Sequence, residues 1–293
     1  MLFREDLFLA IEKVLVVGAG QMGHGIAQVC VTGGAEVKLF DTSEKAAQRG
    51  YDKILAAVKR GVEKGRYSDT DMKDIAGRLS LVKSYDEALD VDMVIEAAPE
   101  NVDIKRKIAT DMDILMPEKV ILATTTSALP ITDIMNQTKH PERTIGTHFH
   151  HPPAVMKLVE VVNGFSTAPE TTDTMIKFLA SVGKAPVPCK DYPGFVSSRV
   201  GIIMINEGIH TLADGVSSAE DIDAACRYGF NWPMGPLELS DLIGLETILM
   251  ILDDLTFKLG DRFRPSPLLR QMVSAGHIGV KVGKGFYDHN KKG

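Results

Sequence analysis

The chain has 293 residues, of which 25% are charged and 44% apolar, a mixture typical of one large globular domain or two ordinary ones. Its formal net charge of −6 argues against general nucleic-acid binding, and no apolar run approaches the ~18 residues of a membrane span. Cys30, Cys189 and Cys226 are widely spaced and form no CxxC pair, which argues against a disulfide framework or zinc staple and for a reducing, cytoplasmic setting. The amino-terminal stretch MLFREDLFLAIEK is broken by Arg4, Glu5 and Asp6 and reads as a poor signal peptide. The partner expected of such a chain is a small molecule.

Lys13–Val17 is a short β-branched apolar run, as expected of a strand buried on both faces, and it stops at Gly18. A helix is predicted from Met22 to Thr32 and a second strand from Val37 to Phe40. Ser43 to Glu63 reads as an amphipathic helix, and Ser68 is placed to cap another. Apolar runs recur at Met93–Ile95 and Val120–Ala123, each followed by a predicted helix, Val102–Met116 and Pro130–Met135. Strands alternating with helices predict βαβ units and a mostly parallel sheet. The link between Thr144–Phe149 and Lys157–Val162 is too short for a helical crossover, so these strands should pair antiparallel. Beyond Pro193-Gly194 the pattern turns helical, with helices predicted at Phe195–Leu212, Ser218–Tyr228 and Leu237–Leu259. The fold class is α/β: a Rossmann-type domain over residues 1–192, then an all-helical domain over 193–293.

Gly18, Gly20 and Gly23, with Gln21 and Met22 between them, form G-x-G-x-x-G directly after the first strand and at the start of a helix. Such glycines allow a tight turn, close pyrophosphate approach and close helix–strand packing, while the helix N-terminus faces the phosphates. Asp41 ends the second strand about 20 residues on, where a carboxylate holds ribose hydroxyls. It would repel a 2′-phosphate, so NAD is favoured over NADP; nothing in the sequence independently supports FAD.

His148 lies near the end of the strand Thr144–Phe149, His150 and His151 follow it, and Glu160 interrupts the apolar run of the next. Oxidising an alcohol requires a base for the hydroxyl proton, and histidine is suited to it near neutral pH. A carboxylate on the adjacent strand could orient the ring and stabilise the imidazolium, and a carboxylate buried among apolar residues needs a partner. The three histidines also invite a metal reading, but no clear third and fourth ligand lies nearby, so no metal site is assigned. Ser127 follows a strand at the carboxyl end of the sheet, where open α/β sheets place ligand contacts.

The ordered segments GAGQMGHGIA, DMVIEAAPENVDIKRKI, TTTSALPI, GTHFHHPPAVMKLVEVV, PGFVSSR, PMGPLELSDLIGLE and GVKVGKGFYD span Lys13 to Asp288. In this order and spacing the chain resembles the L-3-hydroxyacyl-CoA dehydrogenase family. The resemblance implies reversible NAD-dependent oxidation of a 3-hydroxyacyl-CoA in a homodimer joined through its helical domain, with the active site between the domains. It makes His148 the general acid/base, Glu160 its partner, and Ser127 a contact of both substrate and cofactor. It also implies NAD contacts at Asp41, Glu100, Lys105, His151 and Lys281. Lys64, in the basic stretch KRGVEKGR (Lys59 to Arg66), is the candidate for binding acyl-CoA.

The chain also departs from that family, which usually has asparagine at the positions of Thr125, His151 and Ser198 and phenylalanine at that of His150. The asparagine replaced by Ser198 normally sits in the catalytic site, and Ser198 is taken as a substrate-binding residue. Losing one donor that polarises a reacting oxygen costs roughly 3–4 kcal/mol. Three readings follow: His150 or His151 supplies the lost donor, the pocket fits an acyl group of another shape, or catalysis is impaired. With His148, Glu160 and Ser127 all present, an active enzyme of altered acyl preference is expected. The alternatives are a dehydrogenase of a branched, cyclic or carrier-bound thioester or a free hydroxy acid, and a noncatalytic NAD-binding protein.

Overall fold

A computed structural model describes residues 11–290, so most of the amino-terminal stretch discussed above lies outside the described residues. The chain divides into two compact units that meet between Tyr192 and Pro193.

In the first unit, β1 (Lys13–Val17), α1 (Gln21–Thr32), β2 (Glu36–Phe40), α2 (Glu44–Glu63), α3 (Asp69–Gly77) and β3 (Leu79–Leu81) form one half. The Ser68 hydroxyl accepts from the Asp71 N–H while the Asp71 carboxylate accepts from the Ser68 N–H, a capping box that fixes the start of α3. The second half comprises β4 (Met93–Glu96), α4 (Val102–Leu115), β5 (Ile121–Thr124), α5 (Ile131–Met135) and β6 (Thr144–Phe149). It continues into β7 (Leu158–Asn163), α6 (Pro169–Ser181) and β8 (Ala185–Lys190).

The eight strands lie in the order β3-β2-β1-β4-β5-β6-β7-β8, all pairs parallel except β6 with β7. Strand order reverses between β1 and β4, and in open sheets ligands bind beyond the carboxyl ends of the strands at such a point. One face packs Val14, Val16, Leu39 and Ile95 against Ile26 and Val31 of α1 and Ile54 and Val58 of α2. The other packs Leu15, Val94 and Leu122 against Met112. Each fully buried side chain of this size contributes ~1.5–3 kcal/mol, so both helix layers hold the sheet edge in place.

The sequence analysis places no strand over Ala185–Lys190, a segment that contains Pro186 and Pro188. The structure places β8 at the sheet edge, parallel to β7. The N–H groups of Ala185 and Asp191 donate to β7 and its flank, at the carbonyls of Lys157 and Asn163, each 2.9 Å away. Alternate residues face outward, so the two prolines fall where no ladder donor is required and leave the edge a poor template for further pairing.

The second unit is helical: α7 (Ser197–Ala213), α8 (Ala219–Phe230), α9 (Pro236–Ile243), α10 (Leu245–Leu259) and α11 (Pro267–Ser274). The single helix predicted over Leu237–Leu259 is in fact two. Gly244 breaks it with φ of 102°, a conformation open to glycine and strained for other residues. Ile205, Ile209, Leu237, Ile248, Leu252 and Leu255 form the core of this unit. Buried Asp241 accepts the N–H groups of Phe286 and Tyr287, tying the carboxyl-terminal segment to α9. No described helix is long and apolar enough to cross a membrane.

Candidate active site

The topology gathers the residues singled out in the first unit, Lys64 apart, at one end of the sheet. Gly18 follows β1, Asp41 follows β2, Ala97 to Glu100 follow β4, Thr125 to Ser127 follow β5, and His150 and His151 follow β6. All five strands run parallel, so these are the carboxyl ends of neighbouring strands.

At the glycine turn, Gly18 has φ of 101°, and a Cβ there would lie 2.6 Å from the Ala97 carbonyl oxygen. A Cβ on Gly23 would lie 1.8 Å from the Gly18 carbonyl oxygen, so the helix can approach the turn this closely only without a side chain. Gly20 is different: a Cβ there meets no atom within 4 Å. It is the N-cap of α1 and carries no side-chain cap, which leaves the first-turn N–H groups available to an anion. Asp41 is half-buried; its carboxylate accepts from the N–H of Ala19 at 2.9 Å and from that of Ser43 at 2.9 Å. The open cradle above Gly20 and the fixed carboxylate beside it fit a dinucleotide with free ribose hydroxyls.

A second group lies beyond β4 and β5. The Lys105 side chain is fully buried, and its Nζ donates to Glu96 Oε1 at 2.8 Å, to the Thr125 carbonyl at 2.7 Å and to the Ala98 carbonyl at 3.3 Å. Glu96 Oε1 also accepts from the Ala98 N–H at 2.6 Å, and Glu96 Oε2 accepts from the Thr124 hydroxyl. Lys105 thus clamps the two loops from below. Glu100 Oε1 accepts from the Thr126 hydroxyl at 2.6 Å and the Ser127 N–H at 3.1 Å, holding exposed Ser127 at the sheet edge. The clamp escaped the sequence reading, although a carboxylate closing the apolar strand MVIE signals a buried cation. Thr125 turns its hydroxyl to that of Thr147, 3.2 Å away, on the face of β6 opposite to His148.

The third group carries the acid–base chemistry. His148 lies opposite Glu160 in the β6–β7 register, and Glu160 Oε2 is 2.7 Å from His148 Nδ1. His148 is 7% exposed and Glu160 1%, so little water competes for this pair. The His148 and His150 ring centroids are 4.6 Å apart. Burial, and then the neighbouring His148, push the proton affinity of His150 below that of an ordinary histidine. His151 Nε2 is 3.0 Å from Gln21 Nε2, so the loop after β6 meets the glycine turn across 130 residues of sequence. The Cys30 thiol is pushed up to about 12 by burial, and Cys189 likewise, so both stay protonated near neutral pH.

Three predicted residues remain, each described within its own unit. Lys64 is exposed and caps the C-terminus of α2. Ser198 is half-buried in the first turn of α7, and exposed Lys281 pairs with Glu246 at 3.1 Å, both in the second unit.

A dinucleotide cradle and a buried imidazole–carboxylate pair on one mostly parallel sheet define an NAD-dependent dehydrogenase. Comparison with known proteins makes this specific. Residues 13–192 match the family model described as 3-hydroxyacyl-CoA dehydrogenase, NAD binding domain, and residues 194–289 match the C-terminal domain model of the same name. The chain is 44% identical over 285 residues to a "Probable 3-hydroxybutyryl-CoA dehydrogenase" of Bacillus subtilis, covering 97% of this chain and 99% of the relative. It is 42% identical over 284 residues to the 3-hydroxybutyryl-CoA dehydrogenase of Clostridioides difficile, covering 95% and 100%. The crystal structure of (S)-3-hydroxybutyryl-CoA dehydrogenase from Ralstonia eutropha has a TM-score of 0.91 at 39% identity, covering 96% of this chain and all of that one. The chain belongs to the 3-hydroxyacyl-CoA dehydrogenase family and is an NAD-dependent oxidoreductase.

Proposed function

We propose that the chain oxidises an L-3-hydroxyacyl-CoA reversibly to the 3-ketoacyl-CoA with His148 as general acid/base, and that short acyl chains are its substrates. The observation that carries this reading is the buried pair of His148 and Glu160, 2.7 Å apart, at the carboxyl edge of a dinucleotide-binding sheet. NAD, when bound, accepts hydride from the substrate carbon. His148 takes the hydroxyl proton, and Glu160 fixes the ring through Nδ1 and stabilises the imidazolium that forms. In the reverse direction His148 returns the proton. Ser127, held by Glu100, donates a hydrogen bond to the substrate oxygen and contacts the cofactor.

Gly18, Gly20, Gln21, Met22 and Gly23 seat the pyrophosphate, with His151 beside them, while Asp41 binds the ribose. Lys105 acts from beneath: its enclosure makes it a positioning residue for the loops that carry Glu100 and Ser127. The family resemblance supports Lys281 as a cofactor residue, Lys64 as a partner of acyl-CoA, and Ser198 as a substrate residue. The first unit is the NAD-binding domain, and the second serves substrate binding and dimerisation in a cytoplasmic homodimer. Exposed Leu242, Met250 and Phe257 on the second unit support that interface.

A second reading, with an altered acyl group, is favoured by Thr125. Its hydroxyl shares a hydrogen bond with that of Thr147, and threonine has no amide to stand in for the family's asparagine. NAD reduction over a panel of straight, branched and cyclic 3-hydroxyacyl-CoAs and free hydroxy acids tests both readings. 3-Hydroxybutyryl-CoA should give the highest kcat/KM. A branched thioester exceeding it tenfold supports the second reading, and oxidation of free acids alone overturns both.

Asp41 sets cofactor choice. Asp41→Ala should raise KM for NAD and cut the preference for NAD over NADP at least tenfold, because the carboxylate that repels a 2′-phosphate is gone. An unchanged ratio of kcat/KM for the two cofactors excludes Asp41 from the ribose site.

A further inference from the structure

The loop after β6 adds an imidazole to the pair already described. His148 and His150 are two residues apart, which puts both rings on one face, and Glu160 reaches the same spot from the facing strand. One donor atom from each of His148, His150 and Glu160 lies within 4.8 Å of the others. The sequence offers no clear third and fourth ligand beside these histidines; the antiparallel register supplies the third. His148 and Glu160 are buried and His150 half-buried, so ligation would face little competition from water.

We propose that His148, His150 and Glu160 form a binding site for a divalent first-row transition-metal ion such as Zn2+, and that occupancy blocks the dehydrogenase. Two imidazole nitrogens and one carboxylate oxygen are a donor set for zinc, cobalt, nickel or copper, whereas Mg2+ and Ca2+ select oxygen cages. Metal–ligand bonds of about 2.0–2.2 Å put tetrahedral ligands roughly 3.4 Å apart, so the His148–Glu160 contact at 2.7 Å has to widen while the widest separation, at most 4.8 Å, has to close. Three protein ligands leave a fourth position open to water or to the substrate hydroxyl. The ion replaces the proton shared between His148 Nδ1 and Glu160 Oε2, 2.7 Å apart, releasing it to solvent, and so breaks the pair on which the proton transfer depends. No bond in the substrate is made or broken by this event. The inhibitory half of the proposal rests on His148 being the base; the metal site does not.

The test uses the full chain, stripped of metal with a chelator. Co2+ is titrated while its visible d–d absorption is followed, Zn2+ affinity is measured by competition with a chromophoric chelator, and NAD reduction is assayed with increasing Zn2+. The site predicts one Co2+ per chain with the absorption of nitrogen–oxygen ligation at low coordination number, displaced by Zn2+ and untouched by Mg2+. His150→Phe should weaken Zn2+ binding at least about tenfold, and His150→Gln should behave alike, each checked for folding by NAD binding. His277→Gln, in the second unit, should leave affinity unchanged. Absence of stoichiometric Co2+ binding, or Zn2+ affinity in both His150 variants equal to that of the unmodified chain, overturns the site. Metal binding that is lost with His150 but never slows turnover overturns the inhibition and leaves the metal site standing; the role of His148 as base is decided separately, by turnover of His148→Ala.

Discussion

His148→Ala should lower kcat by about 10²–10⁴ while leaving the Kd for NAD within about threefold of the unmodified chain, the range that a positioned acid/base contributes. The separation is expected from placement. His148 reaches the sheet edge on β6 and pairs with Glu160 across the antiparallel register, whereas the cofactor cradle is built by the turns after β1 and β2. Removing the imidazole also takes one hydrogen-bond partner from a buried carboxylate, so a small loss of thermal stability accompanies the loss of rate. Steady-state NADH formation, with NADH fluorescence titration for affinity, separates the two effects. Retained turnover removes His148 from the reaction. Loss of NAD binding in parallel with turnover would mean that the residue supports the fold of the site rather than the proton transfer.

Gly23→Ala and Gly20→Ala should fail in different ways. The added methyl on Gly23 meets the Gly18 carbonyl oxygen at 1.8 Å, so the turn must open or the helix withdraw. Overpacking of this kind costs ~1–3 kcal/mol and should lower Tm. The same shift displaces the N–H groups that face the pyrophosphate; two charge-assisted hydrogen bonds at about 1.5–3 kcal/mol each raise the Kd for NAD at least 100-fold. At Gly20 the methyl meets no protein atom within 4 Å. Gly20→Ala should therefore keep its Tm and still bind NAD at least tenfold more weakly, because the methyl occupies space needed by the phosphates. Calorimetric melting and NAD titration on both variants give the contrast. Equal binding by Gly20→Ala would place the pyrophosphate elsewhere.

Most of the site was legible in the sequence because its signals are local or follow from a short connection. The glycine turn and Asp41 lie within one βαβ unit, and the structure seats them as that spacing requires. The approach of His148 to Glu160 could be read because a proline-bearing link too short for a crossover forces two strands antiparallel. Features that depend on distant partners could not be read. Lys105 looks like one charged residue in a polar helix until β4 and β5 enclose it. The meeting of Gln21 with His151 joins turns 130 residues apart. Pro186 and Pro188 disguised β8, since only its edge position excuses their missing donors. Gly244 hid a break between α9 and α10 that helical periodicity on both sides seemed to bridge; its positive φ separates them. The fold therefore followed from alternation and punctuation, while the support beneath the site required the assembled sheet.

The central claim is that hydride passes from C3 of a 3-hydroxyacyl-CoA to NAD with His148 receiving the hydroxyl proton. L-3-hydroxybutyryl-CoA carrying deuterium at C3 tests it most directly, with the isotope content of the reduced cofactor read by mass spectrometry. Stoichiometric deuterium in the reduced nicotinamide, formed by the unmodified chain and lost in turnover with His148→Ala, is the predicted result. Cofactor reduction without the label, or no reduction by any 3-hydroxyacyl-CoA, contradicts it.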